Sequence, residues 1–552
     1  MAGLSRLTVG RRPGWVEGGA LALVVVLLLA LGGETVRASY HGFLHVRVGQ
    51  AVLDHGLIPE NPYHAGTPLR YYTLYPALGV LLGKLGLGPL WGFGLLNVLA
   101  ALLFGPALDA LGRAFGLSGD ARRWAFVAAV FGFNALGWIG MLVAAGEPLP
   151  GAAPVMRLAP LTFAGTPLGW DQRLQAFLPK FLNVSSFALA LPFGLWALAG
   201  AIRPAAARPV RVALAAAAAL ALNPLVGGFT GLLMAVWLLP ELWRGSGAKR
   251  LVWPLAGALA LLLALPFLLP ALLPAAVGGP RVQVQLGGRP FADWFGPLAL
   301  LLPVSFLGWP KLAPGLRWRW AVAAVAAGLL LGWAELPWGN QYKMARIGGL
   351  LWALPAGAGL AVLAARRRWL PWAFLAVCLP TTGLIPGAYL RWADESPALP
   401  LTVEGGKLSF RPESSEAIPP PVLEAEAAAP ADAVLLIDPF GLAARLGGGR
   451  VQGHPLAPLF RHALAVDLLH VHNEGQPDLE LRLRCAAGLY LPDTGLDLAS
   501  SLGDLRDLFP GRPLLVLVRP DDPGAAEVAA ADGAEAAASA GGFTLWMLPP
   551  PS

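Results

Sequence analysis

Long apolar runs, broken by short polar stretches, dominate the first 390 residues. They fall at about 16–33, 88–111, 124–146, 181–202, 211–225, 227–243, 251–275, 294–310, 320–336, 347–365 and 369–390. Most lack an amphipathic stripe, and a helix that is apolar all round belongs in a protein core or a bilayer. A helix rises about 1.5 Å per residue, so runs of this length match a hydrocarbon core of about 30 Å. The pattern predicts a polytopic α-helical membrane protein with about 11 spans. Within 211–243, Asn223-Pro224 and Gly227-Gly228 interrupt the apolar text and leave open a hairpin or one kinked helix. The run at 72–85 has only about 14 residues, short for a crossing, and reads as a helix lying along the membrane surface. Beyond residue 390 the pattern changes. Residues 391–430, rich in Pro, Glu and Ala, read as a connector. Ala433–Pro439, Leu514–Pro520 and Phe543–Leu548 then look like buried strands, with helical patterns over Phe440–Leu446 and Leu456–Leu469. The expected organisation is a membrane domain over 1–390 with a large external loop at 34–87, a connector over 391–430, and a small soluble α/β domain over 431–552.

Charge orients this picture. Every second connection carries three basic residues, for example Arg113, Arg122 and Arg123, then Arg203, Arg208 and Arg211, and finally Arg366, Arg367 and Arg368. Short cytoplasmic loops retain Lys and Arg, so the N-terminus is expected inside, with the first long loop and the C-terminal domain outside. The triads at Arg211 and Arg244 favour the hairpin over the single helix. Residues 1–390 hold 29 Lys+Arg against 11 Asp+Glu, and residues 391–552 hold 11 against 22. The basic excess serves membrane anchoring, and nothing in it points to nucleic acid. A mean hydropathy of +0.60 excludes a soluble globule. The Ala-, Gly- and Pro-rich, Lys-poor composition suggests a GC-rich bacterial genome, hence an inner membrane with the C-terminal domain in the periplasm. Cys378 and Cys485 lie in different environments, so no disulfide is expected. His470, His472 and the nearby His462 read as surface histidines, because zinc needs more ligands at closer spacing.

The chemically distinctive text is the first external loop. It carries His41, His45 and Asp54, then Gly56, Pro59, Asn61, Pro62, Tyr63, Gly66, Pro68, Leu69, Arg70, Tyr71, Tyr72, Tyr75 and Pro76. This layout resembles the GT-C class of integral-membrane glycosyltransferases, which use polyprenyl-phosphate sugars, such as the aminoarabinosyl and mannosyl transferases. Their loop after the first helix often reads G-x-x-P, N-P-Y, G-x-P-L-x-Y-Y and Y-P in order. Asn340-Gln-Tyr342-Lys343 similarly resembles an N-x-Y-K run before a late helix in some members. The resemblance implies transfer of a sugar from a polyprenyl-phosphate carrier to a lipid, glycan or protein acceptor at the outer face.

Such transfer needs a group to take the acceptor's proton, or a metal to help the phosphate leave. Family members commonly place an Asp four residues before the loop histidine. With His45 as that histidine, the position here holds His41. Imidazole titrates near neutrality and can act as a base, and Glu34 and Asp54 are the carboxylate candidates. Their structural alternatives are a membrane-boundary Glu34, a turn-capping Asp54 and packed imidazoles. Lys343, Arg346, Arg173, Lys180 and Arg70 are candidates to hold the donor phosphate, although such cations also snorkel at membrane surfaces. His45, Asn61, Tyr63, Tyr71 and Tyr72 are the loop-motif residues. No protein metal site is identified, and participation of a divalent cation stays open. The displaced acid leaves two alternatives, a transporter or flippase for a lipid-linked substrate and a non-catalytic membrane assembly protein.

Overall fold

The computed structural model describes residues 14–39, 41–138, 177–204, 207–244, 249–272, 283–284, 297–336, 340, 342–395, 401–404, 407–410, 417–440, 453–467, 476, 478–492 and 494–550. Each of the eleven apolar runs carries a helix. These are Trp15–Leu31, Pro89–Ala114, Gly119–Phe131, Ser186–Ile202, Pro209–Leu222, Pro224–Arg244, Lys249–Leu272, Leu301–Gly308, Arg317–Trp333, Tyr342–Arg366 and Leu370–Glu395. Three of them are long and apolar enough to cross a membrane, over Pro89–Ala114, Arg250–Leu272 and Lys343–Arg366. The protein is a helical, multi-pass membrane protein. Its chain divides into two compact units. One gathers Met1–Val36, Leu96–Pro266 and Arg281–Ser396; the other gathers Arg37–Leu95, Phe267–Pro280 and Pro397–Ser552.

The first unit is a helical assembly around Tyr342–Arg366. Glycines let its neighbours approach at backbone distance: a Cβ on Gly308 would stand 1.8 Å from the Pro355 carbonyl oxygen, and one on Gly359 would stand 2.0 Å from that of Val304. Such small-residue contacts are the usual means of close helix packing in lipid. At 211–243 the chain breaks into two helices at Asn223, whose side-chain oxygen accepts from Val226 N and whose amide donates to Ser186 Oγ. A Cβ on Gly227 would meet Leu220 Cα at 2.1 Å, so the chain turns back sharply there and the hairpin alternative holds. Arginines of the basic triads cap helix C-termini, where carbonyls lack intrahelical donors: Arg203 donates to Ala114 O and Arg319 to Ile202 O, while Arg319 also donates to Trp237 O within Pro224–Arg244. Lys249–Leu272 keeps Leu255, Leu261 and Leu262 exposed, as a lipid-facing helix does. A short antiparallel ladder joins β1 (Gln283–Val284) to β2 (Ala334–Glu335).

The second unit is built on a sheet. A hairpin of β3 (Leu401–Glu404) and β4 (Lys407–Phe410) precedes it. The sheet contains β5 (Val434–Leu436), β6 (Ala463–Leu464), β7 (Leu514–Val518), β8 (Glu535–Ala540) and β9 (Phe543–Leu548), in the order β6-β5-β7-β9-β8. β5 runs parallel to β6 and β7, while β9 runs antiparallel to β7 and β8. β8 and β9 turn through Gly541 and Gly542, both at positive φ, as a tight hairpin requires. All five residues of β7 are buried, and Val434, Leu436, Leu489, Leu505 and Phe509 share its core with helices Leu479–Tyr490 and Leu498–Asp507. The strands expected near 433, 514 and 543 are present. The helix expected over Leu456–Leu469 is not: its described residues form a 3-10 turn at Ala457–Leu459 and then β6. That run is buried apart from Leu459 and Arg461, and a short buried strand has the same apolar pattern as a helix. Residues 441–446 of the other expected helix lie outside the described residues, as do His470 and His472.

Candidate functional site

The site is built from the loop that follows the first helix, and the helix Gly42–His55 positions its histidines. His41 occupies the N-cap, and Gly56 at φ +91 ends the helix in the left-handed conformation that glycine tolerates best. His45, one turn in, is buried at the centre of an aromatic cluster. Its ring lies 5.1 Å from Tyr75, 5.6 Å from Tyr71, 5.8 Å from Phe93, 6.5 Å from Tyr72 and 6.1 Å from the half-buried His41. Tyr71 and Tyr72 stack at 4.3 Å, and the Tyr71 hydroxyl donates to that of Tyr72. Burial foremost, and then Tyr72, push the Tyr71 phenol well above its ordinary pKa, so it stays a donor. Arg70 precedes this pair, half-buried, with its Nε buried and carrying no hydrogen bond. Aromatic faces beside imidazoles and a guanidinium can stack on sugar rings, move a proton near neutral pH and hold an anion.

Asp54 lies at the other end of the same helix, exposed. Thirteen residues separate it from His41, or about 20 Å along a helix, so the two do not share a reaction centre. Glu34 belongs to the first unit, half-buried on the short helix Gly33–Ala38. In that unit Lys180 is buried with its ammonium 6.0 Å from the Phe187 ring. Arg346 is buried and Lys343 half-buried, one turn apart on Tyr342–Arg366. Arg173 lies outside the described residues. Among the described residues, no group of three or more His, Cys, Asp or Glu could hold a metal ion.

Asn61 and Tyr63 shape the loop. The Asn61 side chain accepts from Tyr63 N, its backbone N donates to Thr67 O, and the Tyr63 hydroxyl donates to Phe43 O. The segment they shape joins the sheet: Ala65 N donates to Leu464 O at 2.8 Å, and Leu464 N donates to Pro62 O at 3.0 Å. This covers the outer side of β6, an edge that would otherwise expose unpaired backbone groups. Charged groups fasten it. Glu60 accepts from both terminal nitrogens of Arg512, and Nε2 of the buried His64 bonds Asp478 at 2.9 Å. Arg482 bonds Asp478 and also donates to Ala65 O and Ala465 O. Arg47, buried, donates to Arg461 O and His462 O. His462 is not a surface histidine. It is buried, with Nδ1 2.7 Å from Glu426 and Nε2 2.8 Å from Pro430 O. Glu60, Asp478, Arg482 and Arg512 carry no local signal in the sequence. His64 stood in the loop text, but its partner lies 414 residues away and no local spacing announces it. Cys378 and Cys485 are both buried free thiols.

Together, the helical membrane body and the loop folded with a small α/β sheet define a GT-C-like fold. No protein-family description matches the chain, and neither does any curated protein. Among solved structures it is similar to the arabinofuranosyltransferase AftD from Mycobacteria, with a TM-score of 0.57 and 15% identity over 96% of this chain and 40% of AftD. Lower-scoring likenesses are to ArnT from Cupriavidus metallidurans, in the apo state (TM-score 0.47, 14% identity, 97% of this chain and 98% of that one) and bound to undecaprenyl phosphate (TM-score 0.43, 15% identity, 96% and 98%).

Proposed function

We propose that this protein transfers a sugar from a polyprenyl-phosphate carrier to a lipid, glycan or protein acceptor at the outer face of a bacterial inner membrane. The N-terminus is then cytoplasmic and the α/β domain periplasmic. The observation that carries this reading is the GT-C-like fold shared with an arabinofuranosyltransferase, and the aromatic wall around His45 supports it. In the reaction the acceptor hydroxyl attacks the sugar's anomeric carbon, the carbon–phosphate-oxygen bond breaks, and polyprenyl phosphate leaves with the bonding pair. His41, at the rim of the aromatic wall, is the preferred base for the hydroxyl proton, with Glu34 and Asp54 as its competitors. Lys343, Arg346, Lys180, Arg173 and Arg70 are the cations proposed for the phosphate, where charge-assisted hydrogen bonds are strongest.

The test is reconstitution of the full chain in lipid nanodiscs with polyprenyl-phosphate donors carrying labelled arabinofuranose, aminoarabinose or mannose. Release of polyprenyl phosphate with matching loss of donor is the expected result. His41→Ala is expected to lower the rate by about 10²–10⁴, the usual contribution of a positioned general base. Absence of release from every donor, with labelled donor crossing the bilayer of proteoliposomes instead, would replace the transferase with a flippase.

A further inference from the structure

The strongest unassigned feature is the way the loop is held. Pro62–Ala65 pairs with the free side of β6 through the two backbone hydrogen bonds of Ala65 and Leu464. His64 sits in the middle of this segment with its side chain fully enclosed. Its Nε2 faces Asp478 at 2.9 Å, and its Nδ1 is buried with no hydrogen-bond partner. A carboxylate only accepts, so the ring is the neutral form with the proton on Nε2. A second proton, on Nδ1, would be a buried donor with nothing to receive it, and such a group is costly. The other charges around it are Arg482, which shares Asp478 and also holds the Ala65 carbonyl, and the Glu60–Arg512 pair at the segment's start.

We infer that His64, Asp478 and Arg482 form a clamp by which the C-terminal sheet positions the loop bearing His41, His45 and Arg70, and that the clamp releases when His64 takes a second proton. His64 and its two partners are thus positioning residues for the transfer proposed above, and the inference rests on that reading for what the positioned loop does. The direction follows from the geometry. Burial, above all, and the Arg482 charge draw the His64 pKa below its ordinary value, against the pull of Asp478. Burial alone would raise the Asp478 carboxyl, but the His64 hydrogen bond and the Arg482 charge together hold it well below the usual range, so it remains an anion throughout. A histidine whose docked pKa is depressed favours docking above its free value of about 6.5, and that advantage shrinks as pH falls, by up to about tenfold per pH unit. The loop is therefore fastened at neutral pH and loosened in acid.

The test uses amide hydrogen exchange on the full chain in nanodiscs, corrected for intrinsic exchange rates, at Ala65 and Leu464. The expected result is a protection factor that falls between pH 7 and pH 5, by at most about tenfold per pH unit. In His64→Gln, whose amide nitrogen can still donate to Asp478 but does not titrate, protection should stay flat over the same range. Protection independent of pH in the natural protein, or an unchanged fall in His64→Gln, overturns the clamp. Should that variant not accumulate, ¹⁵N shifts of the His64 ring decide. A docked ring that keeps a single proton below its free value of about 6.5 supports the clamp, and one that already holds two protons at or above that value while Ala65 stays protected overturns it. Exchange needs no turnover, so the two readings fail separately. A pH-independent clamp with sugar transfer intact overturns only this inference, and a working clamp with no transfer overturns only the function.

Discussion

A buried imidazole elsewhere in the sheet unit carries its own pH signature. His454 is enclosed, and burial lowers its pKa to about 4, against a smaller opposing effect of the Asp438 carbonyl. Its folded pKa lies below its unfolded one, so its contribution is complete above about pH 6.5 and is lost as pH falls toward 4. A shift of this size corresponds to about 3 kcal/mol at neutral pH. Denaturant unfolding of the full chain should therefore weaken steeply between pH 6.5 and 4. His454→Asn, which keeps an acceptor for Leu456 N, should flatten part of that slope; an unaltered slope would assign the acid sensitivity to other groups. At this scale the sequence was legible in residue type and misleading in role. Asn61 and Tyr63 belong to the most distinctive text in the chain, and in the structure their hydrogen bonds to Tyr63 N and Phe43 O shape the loop. Spacing within a loop does not say which side chains turn inward, whereas on the helix Gly42–His55 the one-turn separation of His41 and His45 did place both rings together.

Elements were the most readable level. Each apolar run long enough to cross a bilayer carries a helix, because a helix satisfies its own backbone groups in lipid, although Gly119–Phe131 ends within its run and gives way to turns around Asn134. How those helices pack was hidden, since it depends on which glycines meet a neighbour. The Leu301–Gly308 and Tyr342–Arg366 helices touch through Gly308 and Gly359, where any Cβ would fall inside a carbonyl's contact distance. Gly308→Val is accordingly expected to force the pair apart and cost about 1–3 kcal/mol or more, in line with overpacked cores. A lowered midpoint of thermal unfolding in detergent would show it, and a midpoint equal to that of the natural protein would refute the close contact. Gly315, around which a Cβ would meet nothing within 4 Å, supplies the control: Gly315→Ala should leave the midpoint near its natural value.

The division of the whole molecule was the least legible. Chain order groups the first loop with the membrane helices, whereas contacts group Arg37–Leu95 with Pro397–Ser552. Hydrophobic patterning reports local periodicity and carries no information about partners hundreds of residues apart. The physical content is an edge strand completed by a distant segment, fastened by Arg47, Glu60 and His64. Removing residues 397–552 should therefore do more than delete an appendage. Residues 59–69 are expected to become sensitive to limited proteolysis in the truncated chain and to stay resistant in the full one. Equal resistance in both would mean that the loop holds its shape unaided.

That arrangement also sets an order of events during biosynthesis. Glu60 emerges 452 residues before Arg512, and ribosomes add about 5–20 residues per second. The loop therefore waits roughly 20–90 s, with its backbone donors unpaired by the sheet, before its partner strand exists. Maturation of this protein is post-translational by construction of its topology, and the nascent chain is most exposed to proteases and to wrong strand partners during that interval.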